Sequence, residues 1–98
     1  MVIYGLGHVV VPSPGTSVQL TSPISNKATG IYLSLFPGTT GDVYLKDKNG
    51  NTIIVLNASS HWPIRVGFVY GGNTLTLTEF FIDVSVGGEG PVVGFAVL

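Results

Sequence analysis

Apolar and polar residues alternate along this chain in short segments bounded by Gly, Pro or Asn, the spacing of a sandwich or barrel of strands. Val2–Val11 comes first, with glycines at 5 and 7 that divide it into an arm and a strand. Pro12-Ser13-Pro14-Gly15 is a rigid turn, because proline fixes φ and glycine supplies the reversal. Thr16–Thr21 alternates Val18 and Leu20 against Ser17 and Gln19. A loop over Ser22–Gly30 then leads to Ile31–Phe36, which puts Ile31, Leu33 and Leu35 on one face.

Asp42–Asp47 and Thr52–Asn57 flank Asp47-Lys48-Asn49-Gly50-Asn51, where Asn-Gly tolerates the positive φ of a tight hairpin. Pro63–Tyr70 follows with Ile64, Val66 and Phe68 as its inward row, and Gly71-Gly72-Asn73 reads as the next turn. Thr74–Val86 is the longest extended stretch, with a bend expected near Phe80-Phe81. Gly87-Gly88-Glu89-Gly90-Pro91 is a loop before the closing strand Val92–Leu98. No window carries a helical apolar stripe.

Composition agrees with this pattern. Of 98 residues, 30 are Val, Ile or Thr, and 11 are Ala, Glu, Lys, Gln, Arg or Met. β-Branched side chains fit a pleated surface and lose freedom in a helix. The expectation is one all-β domain over residues 1–98, an antiparallel β-sandwich of jelly-roll type, with a small β-barrel as the alternative. Residues 1–7 are expected as an N-terminal arm. A chain of this mass should expose about 5,300 Å² when folded, which allows one core and no second lobe.

Charge changes the picture most. Only 9% of residues are charged, for a net charge of −1, against about a quarter in an ordinary soluble domain. Nucleic acid is excluded as a partner, because binding it needs several Lys or Arg reaching phosphates. A membrane span is excluded too, since Pro12, Pro14 and Gly15 with their polar neighbours interrupt the uncharged residues 1–26. No basic stretch marks a signal peptide, so synthesis in a cytoplasm is expected. With 45% apolar residues and so few charges, much of the surface is expected to be covered by partners.

Candidate chemistry is sparse. Cysteine is absent, which removes disulfides, thiolate metal sites and cysteine nucleophiles. His8 and His61 have no carboxylate beside them in sequence, and both read as structural. Ser59-Ser60-His61 is no nucleophile elbow, because neighbours on an extended segment point to opposite faces. Asp47-x-Asn49-x-Asn51 resembles half a calcium loop, but Thr52 replaces the sixth-position glycine and Ala58 the final glutamate. Glu79 and Asp83 lack the cleft that paired carboxylates need, and alternation puts Asp83 on an outward face. The reading is therefore no enzyme, no catalytic residue, no metal and no cofactor. Val2, Ile3, Tyr4 and Trp62 remain as candidate interface residues.

Gly7-x-Val9-x-Val11 followed by Gly15-Thr16-x-Val18-x-Leu20 resembles the opening of small all-β proteins of bacteriophage virions. Ile31-Tyr32-Leu33 through Pro37, Gly41, Val43 and Tyr44 is similar to their central strand, although Leu45-Lys46-Asp47 stands where they continue with a glycine. Ile82-Asp83-Val84-x-Val86-x-Gly88-Glu89-Gly90-Pro91-Val92 looks like their closing hairpin. The resemblance implies a capsid decoration or cement protein on a phage head. It implies a homo-oligomer, most simply a trimer, seated on the major capsid protein or another virion protein. The alternative is a carbohydrate- or receptor-binding module of the particle, using Trp62 and the tyrosines.

Overall fold

The computed structural model describes residues 2–97, apart from the side chain of Asn73. Eight strands follow one another: β1 Val2–His8, β2 Val18–Gln19, β3 Lys27–Leu35, β4 Asp42–Asp47, β5 Thr52–Asn57, β6 Val66–Thr76, β7 Phe80–Val84 and β8 Pro91–Val97. They form two four-stranded sheets, ordered β1-β8-β3-β6 and β2-β7-β4-β5. Every pairing is antiparallel. Apart from the β4–β5 hairpin, each connection crosses from one sheet to the other, and the last strand lies between the first and third. That is the winding of a jelly roll. The barrel alternative is corrected, because neither sheet closes on itself.

The two inner faces interdigitate as one core. Ile31, Leu33, Val93 and Phe95 of the first sheet meet Val43, Leu45, Leu56, Ile82 and Val84 of the second, all at most 2% exposed. The surface left to solvent is 5260 Å², close to that expected for the mass. Gly90 closes one end of the molecule, where an added Cβ would overlap the Val9 carbonyl oxygen.

Several expectations need correction. Val2–His8 pairs with β8 from Val2–Val97 to His8–Val92, so residues 2–7 form an edge strand and not an arm; Met1 lies outside the described residues. The Gly71-Gly72-Asn73 signal makes a bulge inside β6. Register passes from Ala28–Leu75 to Gly30–Tyr70, so residues 71–74 lie opposite Thr29 alone. Gly72 has φ +64 there, a left-handed conformation that glycine adopts without strain. The expected strand over 74–86 is two strands in different sheets, joined by a single 3₁₀ turn at Leu77–Glu79 whose Leu77 is buried.

The inward row of β6 is inverted. Ile64, Val66 and Phe68 are 55%, 69% and 50% exposed, and the inner positions are Gly67 and Val69. Gly67 is the reason: a Cβ there would stand 2.9 Å from Ile54 Cγ2 and 3.2 Å from Leu56 Cδ2, so the facing sheet leaves no room for a side chain at this position.

The Asp47–Asn51 hairpin stands where expected, with a different turn. Gly50 N donates to Asp47 O, and Gly50 alone takes a positive φ, +83. This is a type I turn followed by a left-handed glycine, so Asn49 needs no positive φ. The Asp47 carboxylate accepts the N–H groups of Asn49 and Asn51, which commits it to the turn.

Candidate functional site

The two outer faces differ in chemistry. On the second sheet, Tyr44, Asp83 and Val55 form one cross-strand row, and Gln19, Phe81, Lys46 and Thr52 form another. Asp83 lies on the outer face as alternation requires, yet is only 5% exposed because the turn at residues 12–17 covers it. Its carboxylate accepts Lys46 Nζ at 2.9 Å, Gly15 N at 3.0 Å and Val84 N at 2.8 Å. Burial pushes this carboxyl up, but the three donors outweigh burial and hold it below the usual aspartate range. Glu79 is engaged elsewhere, 3.7 Å from Lys48, so the two carboxylates share no site.

The first sheet carries one exposed charge, Lys27 at the start of β3, where it meets Thr76. Register sets three outward rows across its four strands: Ile3–Ala96–Gly30–Tyr70, Gly5–Gly94–Tyr32–Phe68 and His8–Val92–Ser34–Val66. None of these twelve residues is Lys, Arg, Asp or Glu. Ile3, Val66, Phe68 and Tyr70 are all at least half exposed. Tyr32, Phe68 and Tyr70 form a continuous aromatic ridge, with centroid spacings of 4.9 and 6.2 Å. Beside it lies a trough of about 420 Å³, floored by Gly5 and Gly94 and walled by Ile3, Tyr32, Val66 and Val92. The glycines open it, because the middle row has no side chain on β1 or β8.

The sequence-level candidates divide. Ile3 belongs to this face. Val2 is half exposed and pairs with Val97 at the sheet edge. Tyr4 turns inward and lays its ring on Phe95 at 5.4 Å, so its side chain packs with the core. Trp62 lies in the β5–β6 loop and is 81% exposed, braced edge-on by His61 at 5.4 Å. The base of that loop is fixed: Asn57 Oδ1 accepts Ser59 N and Ser60 N, and Asn57 N donates to Ile64 O.

His8 stacks on Phe36 at 3.8 Å and hydrogen-bonds Gly90 O at 3.1 Å through Nε2. Glu89 accepts Thr40 N, Thr40 Oγ1 and Gly41 N, and these donors hold its carboxyl below the glutamate range. Both residues fasten loops at one end of the sandwich. Among the described residues, no cluster of three His, Asp or Glu side chains could hold a metal, and no helix is long and apolar enough to cross a membrane.

Sequence reasoning missed the uncharged face. Its signal was Tyr32, Ser34, Val66, Phe68, Tyr70, Val92 and Gly94, outward positions on three strands without one charge. Comparison of the chain with protein-family models, curated proteins and solved structures finds no match.

Proposed function

We propose that this chain is a structural protein of a virion, without enzymatic activity, which coats or cements a phage head. It is made in the host cytoplasm and ends in the particle, as a homo-oligomer on the major capsid protein or another virion protein. The observation that carries this reading is the first sheet's outer face, with twelve outward positions, no charge and a ridge of exposed aromatic rings. An apolar patch of this kind is costly on a free monomer and marks a protein-facing surface. Depletion of charge with enrichment of aromatic residues is also the composition of interface centres. The strand order adds support by analogy of fold alone, since jelly rolls recur in capsid and lectin domains. The resemblance of residues 7–20 and 82–92 to phage virion proteins points the same way.

Co-sedimentation with intact phage heads tests the proposal. The parent chain should saturate the heads, and Phe68→Ser with Tyr70→Ser should lose binding at unchanged fold. Equal binding by the double variant defeats the assignment of the ridge. A second reading, a carbohydrate-binding module, is favoured by Trp62, whose ring stands free as a stacking platform. Saturable sugar binding lost in Trp62→Ala would select it.

A further inference from the structure

We infer that Asn49 is a site of self-modification by water: the main-chain nitrogen of Gly50 displaces the Asn49 side-chain amide, and the β4–β5 turn gates the step.

Such a displacement asks three things of the chain. The nitrogen that follows the asparagine must be unshielded, the amide must be free to swing toward it, and water must reach both. Gly50 has no Cβ to cover its nitrogen, and Asn49-Gly50 is the one Asn-Gly pair in the sequence. Both residues are exposed. The turn uses only the main-chain N–H of Asn49, which leaves its amide unanchored. Asn26 and Asn57 lack both features: Asn26 Oδ1 accepts Ser22 N, Asn57 Nδ2 donates to Asp42, and Lys27 and Ala58 follow them. Asn51 is followed by the β-branched Thr52.

The step balances with water as its only co-reactant. Gly50 N gives its proton to solvent and bonds to Asn49 Cγ. The amide C–N bond breaks, and its nitrogen takes up a proton and leaves as ammonia. Water then opens the five-membered imide. Addition at Cγ restores the main chain and leaves aspartate. Addition at the Asn49 main-chain carbonyl leaves the chain running through Cγ, one carbon longer.

The folded turn restrains the attack. Gly50 N donates to Asp47 O at 3.1 Å, so the proton that must leave is held. The Asp47 carboxylate accepts Asn49 N at 2.9 Å and Asn51 N at 3.0 Å, which places a negative charge close to the nitrogen that must become anionic. Attack therefore waits for the turn to open, a local event that does not require global unfolding.

The product bears on β5. This strand is a sheet edge paired with β4 alone. Ile53-Ile54-Val55-Leu56 is apolar on both faces, so the turn and not alternation sets its register. A second carboxylate beside Asp47, or a longer main chain between Lys48 and Gly50, weakens that turn, and β5 loosens first.

The test follows the purified chain at mildly alkaline pH, folded and in guanidinium chloride. Cleavage after Lys48 and Arg65, at mildly acidic pH, gives one peptide over 49–65 that holds Asn49, Asn51 and Asn57. Conversion adds about one dalton, and fragmentation of the peptide locates it. Asn49 should convert before the other two, and roughly tenfold faster in denaturant than in the folded chain. Asp47→Ala should speed conversion of the folded chain several-fold and leave the rate in denaturant unchanged. The two parent rates decide the matter even if Asp47→Ala fails to fold. Aged parent should also exchange the amide hydrogens of residues 52–57 faster than fresh parent, and aged Asn49→Gln should not. Earlier conversion at Asn51 or Asn57, or none at Asn49 in denaturant, would overturn the site. Equal parent rates, folded and denatured, would overturn the gate.

Discussion

The Asp83 carboxylate accepts the main-chain N–H of Gly15 at 3.0 Å, tying the turn at residues 12–17 to β7 from outside the sandwich. The same carboxylate holds Lys46, so two segments distant in sequence depend on one buried charge.

Acid should therefore loosen the fold. Asp83 and Glu89 both have folded-state values below those of the unfolded chain. Their stabilisation is complete above the unfolded value, near pH 4, and is lost as pH falls through the folded value. The melting temperature should be flat from pH 7 to 5 and fall below about pH 4. In Asp83→Asn that fall should flatten, with a loss of about 1–3 kcal/mol at neutral pH from a buried charged acceptor.

Glycines at close contacts should tolerate substitution unequally. Gly67→Ala drives a methyl against Ile54 and should cost about 1–3 kcal/mol by overpacking. Gly90→Ala meets the Val9 main chain, which cannot rotate away, and should cost more than Gly67→Ala. Gly5→Ala meets nothing and should melt within about 0.5 kcal/mol of the parent. Urea unfolding of the three variants checks the ranking.

At the β4–β5 hairpin, Gly50→Val should cost about 1–3 kcal/mol, because valine resists a φ of +83. Asn49→Val should cost less, since only the main-chain N–H of Asn49 serves the turn. Equal losses would contradict the turn geometry.

The histidines should behave as packing residues. His8→Ala loses a stack on Phe36 and a bond to Gly90, and should cost about 1 kcal/mol. His61→Ala should leave stability within about 0.5 kcal/mol. A stoichiometric metal bound through either ring would refute this expectation.

Alternation was enough to place β4, β8 and the Ile31–Leu35 part of β3, because each has one clearly apolar face. Lys27–Gly30, read as loop, extends β3, and β5, apolar on both faces at Ile53-Ile54-Val55-Leu56, is placed by the turn before it. Alternation failed at β6 for a physical reason. Ile64, Val66, Phe68 and Tyr70 are the larger apolar set, so the pattern favours burying them; the sheets meet where a side chain is missing, at Gly67. Glycine at 71 and 72 reads as a reversal, yet the chain continues through β6 and residues 71–74 only bulge opposite Thr29. The break at Leu77–Glu79 showed only as the bend expected near Phe80-Phe81, because Thr74–Thr78 alternates without interruption across the end of β6. Ile3 and Trp62 stood out through their position and size, whereas the face that unites Ile3 with Phe68 exists only after β8 and β3 have set their register.

The seating of β8 between β1 and β3 has a kinetic consequence. Until residues 91–97 have been made, β1 and β3 each carry a raw edge and half of the core lacks a wall. Val2 must find Val97 across nearly the whole chain, a search in which entropy is lost before contacts are gained. Folding must therefore wait for the last strand and then proceed slowly, with sticky edges exposed in the interval. A ribosome stalled before residue 91 would hold a chain prone to aggregate.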